Sequence, residues 1–331
     1  MNAQRLRKSP NIAIVGSTSL LGKELQDVLE ARGLPMGRLA LLETEEYAGL
    51  LQEFAGEIQI TQVISRDAFN DIDIAFFACS PEIMRAYIGS GAKFPDLTID
   101  LTQAGLEGMV YLHGISDSRL LRPQGYFVNP HAATIAIGRI LSDLHNTFAV
   151  QSSTITLLEP ASERGNAGVD ELQEQTVNLL NFQQLQNKVF SGQLAFNILP
   201  EPEAAARTES RIVNQLDLVL GKTVPKPAIT ALQAPIFHSD VFSISVDLLA
   251  TPAIEELVAH LQRQPGFSVD ETAAGLSPVA AAGTDKINIG RIRNTGAGRY
   301  AILAVADNIR IAASNAVQTA EHIMLAPALD V

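Results

Sequence analysis

Cysteine is nearly absent from this chain: its 331 residues include a single cysteine, Cys79. One cysteine cannot form an internal disulfide, which fits a reducing compartment. No apolar stretch reaches the roughly 20 residues that a membrane-spanning helix needs. Residues 1–10 are basic, but they lack the apolar core and the small-residue cleavage site of a signal peptide. We therefore expect a cytoplasmic protein with no membrane partner.

Clustered positive charge is missing as well. The chain has 24 Lys+Arg against 36 Asp+Glu, a formal net charge of −12, and no run of basic residues stands out. Because phosphate neutralisation needs a clustered basic face, we expect no nucleic-acid partner. The six histidines are scattered along the chain without paired-ligand spacing. The sequence therefore predicts no metal site.

The first 130 residues alternate short apolar segments with helical patterns. A helical pattern with one apolar face covers residues 20–31. The apolar segments lie at residues 11–15, 39–42, 72–78, 97–101 and 126–128. Strands separated by helices are typical of a doubly wound parallel sheet. The sequence therefore predicts an α/β fold with a Rossmann-type domain over residues 1–131.

Beyond residue 150, the strand patterns alternate apolar and polar residues. Amphipathic helices are predicted at residues 169–185 and 309–325, and loops at residues 200–206 and 273–283. The alternating segments lie at residues 153–158, 230–248, 287–293 and 300–306. Alternation is typical of an antiparallel sheet with one face in water. We expect an α+β domain over residues 132–308, followed by a C-terminal helix within residues 309–331.

A glycine-containing turn joins the first strand to the first helix. Gly16 and Gly22 enclose a segment that includes Thr18, Ser19 and Leu20. Glycines in such a turn let backbone N–H groups reach a dinucleotide pyrophosphate at a helix N-terminus. Ser19 has a Cβ where a glycine would allow closer approach. The motif fits equally well a turn that needs only Gly16 and a capping hydroxyl group.

Three glutamates, Glu43, Glu45 and Glu46, follow the second strand. A carboxylate at this place can accept a hydrogen bond from the ribose 2′-hydroxyl of NAD, and it would repel the 2′-phosphate of NADP. If the turn binds NAD or NADP, Glu43 therefore favours NAD. The alternative, which we prefer for these glutamates, is a solvated acidic loop.

Two further features carry chemistry-bearing side chains. Cys79 ends an apolar strand beside Ser80 and Pro81, which supply no activating base, so we interpret it as a buried, inert thiol. His238 and Asp240, at positions i and i+2, would point to the same side of a strand and could form an acid–base pair. We prefer the interpretation that both are polar residues on the solvated face.

Six segments occur in a fixed order, at residues 11–22, 128–134, 165–172, 193–200, 290–293 and 306–317. Together they resemble the aspartate-semialdehyde dehydrogenase family over nearly the whole chain. The corresponding family patterns are GATGxxG, NPNCST, GxxGxxEL, IAFNVIP, VGRIR and ADNLRKGAATNAV. The resemblance implies a Rossmann domain, a dimerisation domain and a C-terminal helix that returns to the first domain. It also implies reduction of a β-aspartyl phosphate by NADPH, with a cysteine thiolate, a histidine acid–base and substrate-binding arginines.

The positions that carry this family's chemistry are altered. Ala132 stands at the nucleophile position, and an alanine cannot form an acyl-enzyme. Glu159 replaces a glutamine, and Gln233 replaces a substrate arginine. An ungapped alignment places Asp240 at the histidine position, whereas a two-residue gap would place His238 there. We prefer the ungapped alignment because it keeps residues 243–247 in strand phase.

Other positions complete the comparison. Leu106 stands where the resemblance implies another phosphate-binding arginine. Glu209 and Arg211 match the family's substrate-binding positions, and Asn315 matches a cofactor-binding position. The combination resembles the family's Usg-type branch, paralogues that lack the cysteine. We consider two hypotheses. The first is a non-catalytic protein that forms a homodimer or a heterodimer with an active homologue. The second is an oxidoreductase of altered chemistry that uses NAD as its cofactor and Glu159, Asp240 or His238 as its acid–base group. We rank a residual aspartate-semialdehyde dehydrogenase last.

Overall fold

The computed structural model describes residues 9–65, 67–104, 107–120, 125–270, 272 and 274–325. These residues divide into two compact units, with junctions between His131 and Ala132 and between Ile311 and Ala312. The first unit contains the described residues up to His131 and those from Ala312 onward. The second junction lies three residues beyond the predicted one, at 308, because one helix continues across it.

The first unit is built on a parallel sheet. Its described residues form helices α1 (Leu20–Arg32) and α2 (Pro81–Gly89). They also form strands β1 (Ile12–Val15), β2 (Leu39–Glu43), β3 (Leu51–Phe54), β4 (Glu57–Ile60), β5 (Gln62–Val63), β6 (Ile74–Phe77), β7 (Leu97–Asp100), β8 (Met109–Val110) and β9 (Gly125–Val128). The parallel sheet has the order β5-β2-β1-β6-β7-β9-β8, and β3 and β4 form a separate antiparallel hairpin.

Alternate residues of the central strands supply two separate apolar cores, one on each face of this sheet. Ile12 and Ile14 of β1 belong to one core, which includes Leu25 and Leu29 of α1. Ala13 and Val15 of the same strand belong to the other, which includes Met84 and Tyr87 of α2. Because both faces are covered, β1 and β6 are buried along their whole length. The predicted doubly wound arrangement is confirmed.

The second unit surrounds a mixed sheet. Its helices within the described residues are α3 (Ala132–Phe148), α4 (Gly165–Leu180), α5 (Pro202–Leu220), α6 (Ile254–Gln262) and α7 (Pro278–Ala281). Its strands are β10 (Val150–Glu159), β11 (Ala228–Gln233), β12 (Asp240–Leu248), β13 (Phe267–Val269), β14 (Ile287–Gly296) and β15 (Arg299–Ala306). The sheet order is β11-β10-β12-β15-β14-β13. Strand β11 is parallel to β10 and β13 is parallel to β14, so the prediction of a wholly antiparallel sheet is wrong.

The last helix, α8 (Asn308–Leu325), follows β15. Its residues Ala313, Ala316, Val317, Ala320 and Ile323 join the core of the first unit that contains α1. The sequence resemblance predicts such a return of the C-terminal helix. None of the helices in the described ranges is long and apolar enough to cross a bilayer.

Several local predictions in the second unit are wrong. The alternating segment at residues 230–248, which Pro235 interrupts, forms two strands, and Ser239 between them has a φ of 80°, which extended backbone cannot adopt. The helix predicted at residues 169–185 covers Gly165–Leu180. The loop predicted at residues 200–206 contains the start of α5, where Pro202 occupies a helix N-terminal position that suits its fixed φ. The loop predicted at residues 273–283 contains α7, and residue 273 lies outside the described residues.

Candidate functional site

The glycine turn between β1 and α1 is closely packed against the end of β6. Gly16 has a φ of 83°, and a Cβ built on it would lie 2.6 Å from the Cα and N atoms of Cys79. A Cβ on Gly22 would lie 2.1 Å from the carbonyl oxygen of Gly16. Both glycines are therefore required by the packing of the turn itself. This requirement holds with or without a bound dinucleotide.

Ser19 caps α1, as one of the sequence alternatives expects. Its Oγ accepts a hydrogen bond from the backbone N–H of Gly22 at 2.9 Å. The same hydroxyl lies 2.8 Å from the carbonyl oxygen of Gly16 and 2.9 Å from that of Ala78. The backbone N–H groups of Leu20 and Leu21 have no intrahelical acceptor because of their position in the first turn. A helix start of this kind fits the pyrophosphate of a dinucleotide.

Glu43 is bound to the glycine turn rather than solvated. Its side chain is 4% exposed. Its Oε1 accepts hydrogen bonds from the Thr18 N–H at 2.6 Å and the Thr18 hydroxyl at 2.8 Å. The Ser17 hydroxyl lies 3.4 Å from the same oxygen. The preferred prediction of a solvated loop is therefore wrong for Glu43, whereas Glu45 and Glu46 are exposed. The Thr18 N–H is already used inside the protein.

Asn315 is fully buried and holds together neighbouring segments of the first unit. Its Nδ2 donates to the carbonyl oxygen of Tyr111 at 3.1 Å and to Oδ1 of Asn129 at 2.8 Å. Its Oδ1 accepts from the backbone N–H of His113 at 3.0 Å. Both amide hydrogens are thus used within the protein. These bonds give Asn315 a structural role, and its contact with a cofactor stays a prediction.

Strand register in the second unit brings several polar side chains to one end of the sheet. Glu159, the last residue of β10, is paired with Gln233, the last residue of β11. Leu158 pairs with Val241, so Asp240 begins β12 beside the end of β10. Asp240 in turn pairs with Ala306, which Asp307 follows. We call Glu159, Glu163, Asp240 and Asp307 the acidic cluster.

Asp240 is the most unusual member of the acidic cluster. It is 1% exposed, and neither carboxyl oxygen has a hydrogen-bond partner among the described residues. Burial raises the pKa of Asp240 well above its usual range, and the nearby carboxylates of Glu163, Glu159 and Asp307 raise it further. Compared with an exposed aspartate, this side chain therefore favours its neutral form, which can donate a proton.

Asp307, another member of the acidic cluster, and the neighbouring Asn308 are held by hydrogen bonds within the second unit. Asp307 Oδ1 accepts from the backbone N–H groups of Ile309 and Arg310, both at 3.0 Å. Asn308 Oδ1 accepts from the Ser162 hydroxyl at 3.2 Å and from the Ser239 N–H at 3.1 Å. These bonds fix the end of β15 and the start of α8.

The two predicted substrate contacts both lie on α5, and the structure separates their roles. Burial lowers the pKa of Arg211, while the nearby carboxylates of Glu163 and Glu159 raise it, so this cation lies beside the acidic cluster. Glu209 Oε1 instead accepts from the backbone N–H of Ala231 in β11 at 2.8 Å. Arg211 thus remains a candidate for contact with the substrate, whereas the Glu209 carboxylate holds α5 to the sheet.

His238 and Asp240 do not share a strand. His238 is half-buried on the connection between β11 and β12, whereas Asp240 is the buried first residue of β12. The positive φ of Ser239 between them breaks the alternation on which the predicted pairing depends. The predicted placement of both residues on one strand face is therefore wrong, and so is the solvated position predicted for Asp240.

The nucleophile position and the cysteine lie on different elements. Ala132 is the buried first residue of α3. Cys79 follows β6, and burial raises the pKa of its thiol to about 12. The prediction of a buried thiol is confirmed, and the raised pKa supports the prediction that it is inert. Leu106, the other altered position, lies outside the described residues.

Sequence reasoning missed Glu163, Asp307 and Asn308 as members of one site. A usable signal exists, because Asp307 and Asn308 come directly after β15 and Glu163 comes four residues after β10. Polar residues that follow neighbouring strands at the same sheet end lie close together. The strand pairing that shows this could not be read from one sequence.

Comparisons with known proteins agree with this architecture. Residues 11–104 match the model of the semialdehyde dehydrogenase NAD binding domain, and residues 141–311 match that of the semialdehyde dehydrogenase dimerisation domain. Aspartate-semialdehyde dehydrogenase of Rickettsia conorii is 26% identical over 96% of this chain and 99% of its own length. A USG-1 protein homolog of Pseudomonas aeruginosa is 30% identical over 94% of this chain and 96% of its own length.

A solved structure of a similar protein has the same fold as this chain. A probable aspartate-semialdehyde dehydrogenase from Pseudomonas aeruginosa superposes with a TM-score of 0.87 at 27% identity, covering 97% of this chain and 99% of that one. The architecture is thus that of the semialdehyde dehydrogenases, with the NAD binding domain and the dimerisation domain of that group. The chain belongs to the aspartate-semialdehyde dehydrogenase family.

Proposed function

We propose that this chain keeps the family fold but has lost the family's thiolate reaction, as a paralogue of the Usg type. The observation that carries the proposal is Ala132 at the nucleophile position at the start of α3. Its methyl group has no atom that can attack an acyl carbon. Loss of the nucleophile from such a catalytic unit can lower the rate by about 10⁶-fold. The similarity to the USG-1 protein homolog supports the same placement.

Cys79 does not replace the missing nucleophile. With a pKa of about 12, its thiol is ionised in only about one molecule in 10⁵ at pH 7. Its position after β6 differs from that of a residue at a helix start, where the helix dipole stabilises a thiolate. Oxidation of aspartate semialdehyde with NADP⁺ and phosphate tests the proposal, and we expect a rate about six orders of magnitude below that of an active family member.

The charge of the acidic cluster also opposes the family's phosphorylated substrate. Glu159 and Gln233 stand where the resemblance implies a neutral glutamine and a cationic arginine. Two like charges about 4 Å apart repel by about 4 kcal/mol at an effective dielectric constant of 20. Arg211 is the family substrate cation that this sequence retains beside the cluster. Affinity for an aspartyl phosphate is therefore reduced independently of the missing thiolate.

A second candidate function is an oxidoreductase that forms no covalent intermediate. Asp240 favours it, because a buried neutral carboxyl group can act as a proton donor. The backbone at Gly16, Ser19, Leu20 and Gly22 would hold the pyrophosphate of a dinucleotide. When bound, the nicotinamide supplies or accepts a hydride. Calorimetric titration with NAD and NADP at millimolar concentration tests the oxidoreductase function. If neither dinucleotide binds, the oxidoreductase function is contradicted and the non-catalytic function is the one that stands.

We propose that Glu43 makes NAD the preferred dinucleotide, and Glu43→Gln tests this. Glutamine keeps an oxygen that can accept from Thr18 but removes the charge that repels a 2′-phosphate. We expect NADP affinity to rise about tenfold or more, since like charges about 4 Å apart cost 1–4 kcal/mol at effective dielectric constants of 80 to 20. Glu45→Gln, on the exposed segment beside it, serves as the matched control. An equal gain in both variants would contradict the assigned role of Glu43.

We further propose that the chain is a homodimer. The dimerisation-domain model covers residues 141–311. The second unit exposes large apolar side chains, including a Phe182 that is 99% exposed; the others are Val177, Leu180, Phe196, Ile198 and Leu218. Exposed apolar surface of this kind marks an interface between chains. Sedimentation equilibrium should give twice the mass of one chain, and co-purification with an active homologue tests the heterodimer.

A further inference from the structure

Two histidines and an aspartate come together in the first unit, in an arrangement that the proposed function does not use. His113 and Asp117 lie four residues apart in the segment after β8, and His322 lies on α8. His113 Nδ1 is 3.5 Å from Asp117 Oδ1, and His322 Nδ1 is 3.8 Å from Asp117 Oδ2. One ligand atom from each residue lies within 4.8 Å of the other two. All three side chains are partly exposed.

The distances within this group are close to those of a metal site. Zinc binds imidazole nitrogen and carboxylate oxygen at about 2.0–2.2 Å, so neighbouring ligand atoms in a tetrahedral site lie about 3.3 Å apart. The 3.5 Å and 3.8 Å distances run from the two imidazoles to different oxygens of Asp117, and each exceeds this value by a few tenths of an ångström. Small side-chain rotations would close the difference. Because the side chains are partly exposed, water can complete the coordination.

The carboxylate of Asp117 is already oriented by neighbouring donors. The Tyr111 hydroxyl donates to its Oδ1 at 2.7 Å, and the Gly114 N–H donates to the same oxygen at 2.9 Å. Burial opposes ionisation, yet these hydrogen bonds and the nearby imidazoles of His113 and His322 hold the pKa of Asp117 below its usual range. The other oxygen, Oδ2, lies on the side of His322. Metal ligands are commonly fixed by outer hydrogen bonds of this kind.

The segment that carries two of these ligands is itself held in place. The His113 N–H donates to Oδ1 of Asn315, a residue two turns before His322 on α8. The rings of His113 and His322 lie with their centroids 5.6 Å apart. The backbone of the segment after β8 and helix α8 are thus joined by a partly buried hydrogen bond near the three ligand side chains. This reduces the ordering cost of binding an ion.

We propose that His113, Asp117 and His322 bind one divalent transition-metal ion, with zinc as the test ion, which fastens α8 to the segment after β8. Imidazole nitrogen and carboxylate oxygen are both common zinc ligands. Sequence spacing could not indicate this group, because His322 is 205 residues beyond Asp117. Folding, rather than a local motif, brings the third ligand into place.

Zinc titration of the tag-free, full-length chain against a chromophoric chelator tests the proposal. We expect one zinc ion per chain at the site. His322→Gln and Asp117→Asn should each lower the affinity by more than about 100-fold, because loss of an outer partner alone costs 10–100-fold. Tyr111→Phe, which removes such an outer partner, should fall within that smaller range.

His260→Gln provides the matched control. His260 Nε2 lies 2.8 Å from Asp143 Oδ2, so this histidine also has an aspartate neighbour but no third ligand in the described clusters. It should leave zinc affinity unchanged. Zinc should also raise the Tm of the wild-type chain and not that of His322→Gln, since a ligand bound only to the folded state stabilises it. Absence of zinc binding to the wild-type chain would overturn the proposal. So would unchanged zinc binding in His322→Gln, provided that circular dichroism shows this variant to be folded.

Discussion

Gly22→Ala should destabilise the protein by about 3 kcal/mol or more. A Cβ at this position would lie 2.1 Å from the Gly16 carbonyl oxygen and 2.8 Å from the Ser17 Cα. Both atoms belong to the backbone, so neither can move away as a flexible side chain would. Either α1 or the glycine turn must shift, and such overpacking costs 1–3 kcal/mol or more. Urea unfolding, monitored by circular dichroism, measures the loss.

Gly89→Ala is the matched control for this substitution. Gly89 is also helical, in α2, but no heavy atom lies within 4 Å of a Cβ built there. Alanine in place of such a glycine should stabilise by roughly 0.5–1 kcal/mol, because it restricts the unfolded chain. The two substitutions should therefore have opposite signs. Equal free energies of unfolding for both variants would contradict the close packing of the turn.

Asp240→Asn should stabilise the protein increasingly as pH rises. The pKa of Asp240 is raised in the folded state by burial and then by the nearby carboxylates of Glu163, Glu159 and Asp307. Above about pH 3.9 the unfolded chain loses this proton while the folded chain keeps it, so the free energy of unfolding falls with rising pH. Asparagine has no proton to lose and removes this penalty. The stability difference should grow by about 1.4 kcal/mol per pH unit until the folded-state pKa is reached.

Asp247→Asn, on the same strand β12, should behave in the opposite way. Asp247 is partly exposed and pairs with Arg299, whose Nε lies 2.7 Å from its Oδ1. Hydrogen bonds from Arg299 and Ser152 lower the pKa of Asp247 to about 2, so its contribution is present above the unfolded pKa and is lost as pH falls. Urea unfolding from pH 2 to pH 8 compares both variants with the wild type, because the contribution of Asp247 is lost between its unfolded pKa of about 3.9 and its folded pKa of about 2. Parallel pH profiles for wild type and Asp240→Asn would show that Asp240 ionises normally.

The parallel sheet could be predicted because its strands are buried on both faces. Continuous apolar segments such as β6 and the helix-forming pattern of α1 show directly in the sequence. The β3–β4 hairpin could not be found in this way, since Leu51, Ile58 and Ile60 are exposed apolar residues without a clean alternation. The parallel pairing of β11 with β10 depends on tertiary contacts that local alternation does not specify.

The candidate site was less accessible to sequence reasoning than the fold. The altered position at Ala132 follows from a resemblance of segments, and needs no coordinates. The burial of Glu43 against Thr18 cannot be predicted from the sequence, because a carboxylate after a strand is usually solvated. Asp240 could be named, but its neutral form depends on Glu163 and Asp307, which approach it only through strand register. Long-range pairing, as in the group of His113 and His322, has no signature in one sequence.

The most direct test of the central proposal is NADPH formation from aspartate semialdehyde, NADP⁺ and phosphate, measured beside an active family member. Ala132 at the start of α3 and the un-ionised thiol of Cys79 predict a rate about six orders of magnitude below that of the control. Cys79→Ser should leave this rate unchanged. A wild-type rate within a few orders of magnitude of the control, and lost in Cys79→Ser, would contradict the proposal and make Cys79 the nucleophile.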